Sequence, residues 1–229
     1  MAKKPKKTRK ELLKEPDEFI TISGKIIGFI VAHKNQLTYT LGVIVALALI
    51  FSGYRFFSIR SENKAAALLD QSLAKYENLK KDAQPVTAYD QVSADFQLIL
   101  DKYGSKPSGK IARLNYANIC YEAGKYDQAI ELYKRSLTDF EAHPVIHNQV
   151  VGSLGYAYEQ MADFAGAVSY FKQLSLAPDT IMRAEALYNL GWLYDKLGQT
   201  DKSQEAYSKI ISDHPDFIYI DLVKERMAG

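Results

Sequence analysis

Four prolines set the frame of this chain. Pro107, Pro144, Pro178 and Pro215 stand 37, 34 and 37 residues apart. Proline has no N–H to donate and clashes with the preceding helical turn, so it ends helices. A proline comb at this period marks a repeated supersecondary unit rather than one large globule. No run between the prolines shows strand alternation. The expected fold class is therefore all-α.

Three units align on the comb. The clearest starts at Ala184 and places Leu187, Leu190-Gly191, Tyr194, Gly198, Tyr207, Ile210 and Pro215 at positions 4, 7–8, 11, 15, 24, 27 and 32. The unit starting at Asn148 supplies Val151, Leu154-Gly155, Tyr158, Ala167, Phe171 and Leu174 at matching positions. The unit starting at Lys110 supplies Tyr116-Ala117, Gly124, Ala129, Tyr133 and Ser136. This pattern resembles the tetratricopeptide repeat, a helix–turn–helix of about 34 residues. The small residues Ala117, Gly155 and Gly191 are expected where two helices cross closely. Ala129, Ala167 and Ser203 do the same on the partner helix. Two departures stand out. Ala162 replaces the turn glycine of the second unit, so its turn is open to differ, and Arg113 sits where the first unit should carry a large apolar residue.

The repeats have neighbours on both sides. Residues 65–80 and 88–103 are expected to form a degenerate earlier unit, with Ala66, Leu69, Leu73 and Tyr76 on one helical face and Val92, Phe96 and Ile99 facing inward on the other helix. After the last repeat, Ile220, Val223 and Met227 recur at helical spacing over residues 217–228, as suits the terminal cap that a solenoid needs.

The N-terminal part is of another kind. Residues 35–54 contain no charge, and Lys34 and Arg55 bracket them. Twenty helical residues span about 30 Å, the thickness of a bilayer's hydrocarbon core. A transmembrane helix, kept as an uncleaved signal anchor, is the expectation; a buried core helix and a cleaved signal peptide are the alternatives. Nothing breaks the helix after Gly53 until Pro85, so it can run on as a stalk. The charge is asymmetric. Residues 1–34 hold nine Lys/Arg against four Asp/Glu, and residues 55–229 hold twenty against twenty-three. Charges beside the span are nearly balanced, but the Lys-rich tail favours a cytoplasmic N-terminus and translocated repeats. Between tail and span, Phe19, Ile22, Ile26, Phe29 and Ile30 recur at helical spacing. They predict an amphipathic helix in the membrane interface, although Ile20-Thr21-Ile22-Ser23 also permits a short strand. The expected layout is a basic tail over residues 1–15, an interfacial segment over 16–34, a transmembrane helix over 35–57, a stalk with degenerate repeat over 58–109, three repeats over 110–216, and a cap over 217–229.

Little in the chain points to chemistry. The basic excess sits in a short tail, which argues against a nucleic-acid binder. GSKPSGK at 104–110 lacks the strand before and the Ser/Thr after that a phosphate loop needs, and reads as a helix connector. His143 and His147 stand four apart with Pro144 between, so His143 is expected to cap a helix, and no third ligand for a metal is evident. His214 is expected to be a solvated turn residue. Asp195 and Glu159 are expected on solvated helix faces. Cys120, the single cysteine, falls at a core-facing position and reads as a buried, inert thiol. The expectation is therefore a protein that is not an enzyme, with no cofactor and no metal.

What remains is a surface. In the family that the repeats resemble, positions 2, 5, 9, 12 and 13 point into a concave groove. The resemblance carries this onto Leu114, Asn118, Tyr121, Tyr156, Gln160, Tyr188, Trp192 and Lys196. Gly152, Glu122, Glu159 and Asp195 occupy the remaining equivalents of positions 5, 9, 12 and 13. Aromatic side chains with polar tips are typical anchors for proteins or extended peptides. A neighbouring loop, the stalk or the cap could also cover them. The order and proportions of the whole chain resemble the ancillary SecYEG translocon subunit family, although residues 16–33 have no counterpart in that likeness. The resemblance implies a single-pass protein of the bacterial inner membrane with a periplasmic repeat domain, assisting protein export beside translocon subunits and chaperones. The rival expectation is a structural scaffold for an envelope complex serving cell division, secretion or outer-membrane assembly.

Overall fold

The structure is a computed structural model that describes residues 18–177 and 180–228, without the side chains of 18–21, 180 and 181. The basic tail of residues 1–15, Pro16, Asp17 and Pro178 of the proline comb lie outside the described residues. All regular structure among the described residues is α-helical: α1 Glu18–Ala32, α2 Lys34–Leu79, α3 Pro85–Tyr103, α4 Pro107–Glu122, α5 Tyr126–Asp139, α6 Pro144–Gln160, α7 Phe164–Leu174, α8 Thr180–Lys196, α9 Thr200–Asp213 and α10 Ile220–Ala228. The chain divides into two units, residues 1–59 and 60–229.

The first unit holds α1 and the start of α2. Its apolar side chains, from Ile22 through Phe57, are exposed almost without exception. α2 contains a window long and apolar enough to cross a membrane, and none of that window is buried within the chain. A core helix of a soluble domain would be largely buried. Thr38 and Thr40 turn their hydroxyls back onto the carbonyls of Lys34 and Gln36 at 2.8 and 2.9 Å. Both hydroxyls are thereby satisfied within the helix itself. The segment that also permitted a short strand is part of the helix α1.

The second unit is a series of antiparallel helix pairs. The end of α2 buries Ala65, Leu69, Ser72 and Tyr76, spaced four, three and four residues apart. It packs against α3, whose Val92, Phe96 and Ile99 are fully buried. Phe96 and Tyr89 of α3 both lie parallel to Tyr116 of α4, at 5.3 and 6.1 Å between ring centres. The comb prolines act differently from the simple expectation. Pro107 and Pro144 open α4 and α6 at their first turns rather than closing the helices before them. A first-turn residue has no intrahelical use for its N–H, so proline loses nothing there. Pro215 does follow α9.

Close helix crossings fall where the small residues are. A Cβ added at Gly191 would lie 2.4 Å from the ring of Tyr207, and one at Gly155 would lie 2.7 Å from the ring of Phe171. Ala129, Ala167 and Ser203 are almost completely buried on the partner helices. The turn of the second repeat keeps the geometry of its neighbours in spite of its sequence. Ala162 has φ +58°, beside +74° at Gly124 and +69° at Gly198. Its frame is also shared: the N–H of Asp163 donates to Tyr158 O at 3.0 Å, as those of Lys125 and Gln199 donate to Cys120 O and Tyr194 O at 2.8 Å. Arg113, the other departure, swings its guanidinium onto the carboxylate of Asp139 and donates to Gly104 O at 3.1 Å. It ties α4 to the end of α5 by charge where an apolar residue would have packed.

Two cores run through the unit. The first gathers side chains from Leu69 to Ala157, and the second from Val151 to Val223. α6 serves both, with Val150, Leu154 and Ala157 in the first core and Val151 in the second. Val223 of α10 is fully buried at the far end. One sequence expectation is corrected here: His214, expected as a solvated turn residue, is buried at the C-terminus of α9.

Candidate functional site

The first helices of successive repeats carry polar and aromatic residues on one face. On α4 these are Asn118, Tyr121 and Glu122, spaced three and four apart so that they share that face. On α6 they are Ser153, Tyr156, Glu159 and Gln160, in the same register. Between the two helices lies a cavity of about 260 Å³, lined by Asn118, Tyr121, Glu122, Tyr133, Ser153 and Tyr156.

Its floor is fixed. Tyr133 of α5 is almost fully buried and donates its hydroxyl to Asn118 Oδ1 at 2.7 Å. Burial holds that phenol well above the usual tyrosine range, so it stays a donor at any ordinary pH. Its walls are fixed too. Tyr121 meets Tyr126 edge to face at 5.5 Å, and Tyr126 donates to Gln160 Oε1 at 3.4 Å. Tyr156 and Phe171 meet edge to face, 5.1 Å between ring centres. Its hydroxyl donates to Glu185 Oε1 at 2.5 Å and accepts from Asn189 Nδ2 at 3.0 Å. Burial first, then the Glu185 carboxylate, pushes the Tyr156 phenol far up.

The carboxylates around the cavity are not equivalent. Glu122 Oε2 accepts from the Tyr76 hydroxyl at 2.9 Å and pairs with Lys80 Nζ at 2.6 Å. Glu159 corrects the expectation of a solvated face. It is half-buried, and burial raises its carboxyl above the usual range. Both Tyr121 and Tyr156 feel its charge. Asp195 is exposed, as expected.

The eight residues singled out from sequence divide into separate places. Asn118, Tyr121 and Tyr156 line the cavity, and Gln160 joins them through Tyr126. Leu114 packs on the first core. Tyr188 belongs to an aromatic cluster with Phe217 and Tyr219, 6.0 and 5.9 Å away, so the segment after the last repeat covers part of its ring. Trp192 meets Phe164 edge to face at 5.9 Å, and Lys196 Nζ stands 5.3 Å above its ring centre. Sequence reasoning passed over Ser153, Glu185 and Asn189. Glu185 was findable, because it holds position 2 of its unit, which the repeat rule also turns into the groove. Ser153 and Asn189 hold positions 6 and 6 of theirs, outside that rule.

Three further features have little room for chemistry. Cys120 is fully buried, and burial pushes its thiol up to about 12. His143 occupies the N-cap of α6 without a side-chain capping bond. The 104–110 segment joins α3 to α4, with Gly104 ending one helix and Pro107 opening the next.

Residues 86–144 and residues 185–216 match tetratricopeptide repeat family models. The intervening unit, which has Ala162 in its turn, lies outside both matches. No curated protein matches the chain. Among solved structures, that of MamA is similar at 24% identity and TM-score 0.47, over 67% of this chain and 84% of that one. BtubC (BKLC) from P. vanneervenii is similar at 16% identity and TM-score 0.47, over 63% of this chain and 62% of that one. The chain carries tetratricopeptide repeats, and solenoids built from such units are protein-interaction modules.

Proposed function

We propose that the chain is a membrane-anchored interaction module whose repeat groove holds an extended segment of a partner protein during export across the bacterial inner membrane. The observation that carries this reading is the cavity between α4 and α6. Tyr133 and Tyr156 are oriented by hydrogen bonds through their hydroxyls, and with Tyr121 they line the cavity. Preorganised aromatic anchors bind with little loss of side-chain freedom.

The anchor rests on α2. Its apolar window is unburied, its threonine hydroxyls are bonded within the helix, and Tyr39, Tyr54, Phe56 and Phe57 stand exposed toward its two ends, where interfacial aromatics belong. α1, with Phe29 and Ile30 exposed, suits the cytoplasmic interface. The basic tail supports an N-terminus inside and repeats outside. The layout, with its likeness to ancillary translocon subunits, supports a place beside the export channel among periplasmic chaperones.

Photocrosslinking in living cells from a probe amino acid at Gln160 tests the reading. Adducts with translocon subunits, periplasmic chaperones or exported chains are expected. Adducts with cytoplasmic proteins would invert the topology and retire it. A single stoichiometric envelope partner would make the chain a scaffold instead.

A further inference from the structure

We propose that the cavity between α4 and α6 takes a lysine or arginine side chain of the partner segment, held over the tyrosine faces and paired with Glu159. The inference rests on the concave face being the partner-binding surface and adds the chemistry of what it binds.

Three observations point the same way. The first is size. About 260 Å³ falls below the range that holds a drug-sized ligand, and suits one long side chain. The second is the state of the hydroxyls. Three of the four in the lining, those of Tyr133, Ser153 and Tyr156, already donate to Asn118 Oδ1, Gln149 O and Glu185 Oε1. Asn118 Nδ2 and the Tyr121 hydroxyl can still donate, so the lining is poor in donors rather than without them. Ammonium and guanidinium groups are donors only and need none from it.

The third is charge. Glu122, Glu159 and Glu185 stand around the cavity tyrosines. Lys80 answers Glu122, and Tyr156 donates to Glu185. Among the described residues no ion pair is formed by Glu159, although it is half-buried and its charge reaches both Tyr121 and Tyr156. A carboxylate partly removed from water, near two tyrosines of the cavity, attracts a cation by charge, and the aromatic rings add cation–π attraction. An acidic partner side chain would meet three carboxylates and few donors. An apolar one would leave Glu159 buried without compensation.

The test uses the full chain in lipid nanodiscs and a phage-displayed library of random peptides. Selected peptides are then measured against the wild type, Glu159→Gln and Ser153→Trp, the last of which fills the cavity from its rim. Circular dichroism checks that each variant is folded. The expected result is a lysine or arginine at one fixed position of the selected peptides. Their affinity should fall about five- to tenfold with Glu159→Gln, and binding should be abolished by Ser153→Trp. Peptides blocked by Ser153→Trp but lacking the fixed basic residue, or indifferent to Glu159→Gln, would overturn the cation assignment and leave the groove standing. Peptides indifferent to both variants, or no enrichment at all, would overturn the groove itself. If Ser153→Trp does not fold, Glu159→Gln and the peptide sequences still decide the matter.

Discussion

Glu62 and Ser108 are 46 residues apart in sequence, and one carboxylate oxygen joins them twice. Glu62 Oε1 accepts the backbone N–H of Ser108 at 3.0 Å and its hydroxyl at 2.6 Å. Ser108 is the second residue of α4, whose own N-cap, Lys106, offers no side-chain cap. The long helix α2 thus supplies from outside the acceptor that α4 lacks. A carboxylate suits that end of a helix, where unpaired N–H groups concentrate positive partial charge.

Removal of this borrowed cap should loosen α4. Glu62→Ala is expected to cost about 1–2 kcal/mol. Glu62→Gln keeps an acceptor and should cost less than half of that. Thermal melts followed by circular dichroism in detergent would read the difference, with equal losses for both variants counting against the cap.

Ala162 holds a left-handed backbone that L-residues adopt at a cost. Ala162→Gly should stabilise the second repeat by about 0.5–1 kcal/mol, and a denaturant titration would show a higher midpoint at unchanged slope. Ala162→Asn should recover part of the gain, since asparagine tolerates the same region.

Two glycines on first helices should answer differently to alanine. At Gly191 the new methyl would strike the ring of Tyr207, itself nearly fully buried and unable to give way. Gly191→Ala should destabilise by about 2–3 kcal/mol. At Gly152 the nearest neighbour is Leu174 Cδ2 at 3.4 Å, an ordinary contact. Gly152→Ala should be neutral or slightly stabilising through helix propensity. Similar losses at both sites would contradict the crossing geometry.

Glu159 gives a pH signature. Burial raises its carboxyl pKa in the folded chain above the unfolded value. The folded state therefore holds that proton more tightly, and stability falls as pH rises from the unfolded pKa through the folded one. Above that window the ionised carboxylate is a standing cost, which glutamine removes. Glu159→Gln should raise Tm near neutral pH by no more than about 3 °C, and the advantage should vanish in acid. A stability gain paired with weaker peptide binding is the outcome expected where a charge is kept for a ligand.

How much of this was legible beforehand follows from the range of each interaction. Gly191, Gly155 and Ala129 could be read because a helix pair repeats its close crossings at fixed spacing, and the spacing is in the sequence. Cys120 could be read for the same reason, as a core-facing position. His214 could not. The local turn signals of His-Pro mark a helix end and say nothing about whether the imidazole is covered. Glu62 gave no sign, because its partner lies on a helix that periodicity cannot connect to its own. Ala162 misled in a different way. Alanine reads as a changed turn, yet the flanking helices impose the backbone and the residue accepts the strain. The candidate groove was half legible. The repeat rule found Asn118, Tyr121 and Tyr156, but it could not reveal that Tyr188 is partly covered by Phe217 and Tyr219, which lie beyond the repeats.

The two valines at 150 and 151 have a consequence for how the repeats come apart. One faces the core that begins at Leu69 and its neighbour faces the core that ends at Val223. α6 is a party wall, and neither room can be emptied without stripping one of its faces. Damage at one end should therefore weaken the other through a single shared helix. The repeats would then melt as one event, whereas a solenoid with separable halves would show two.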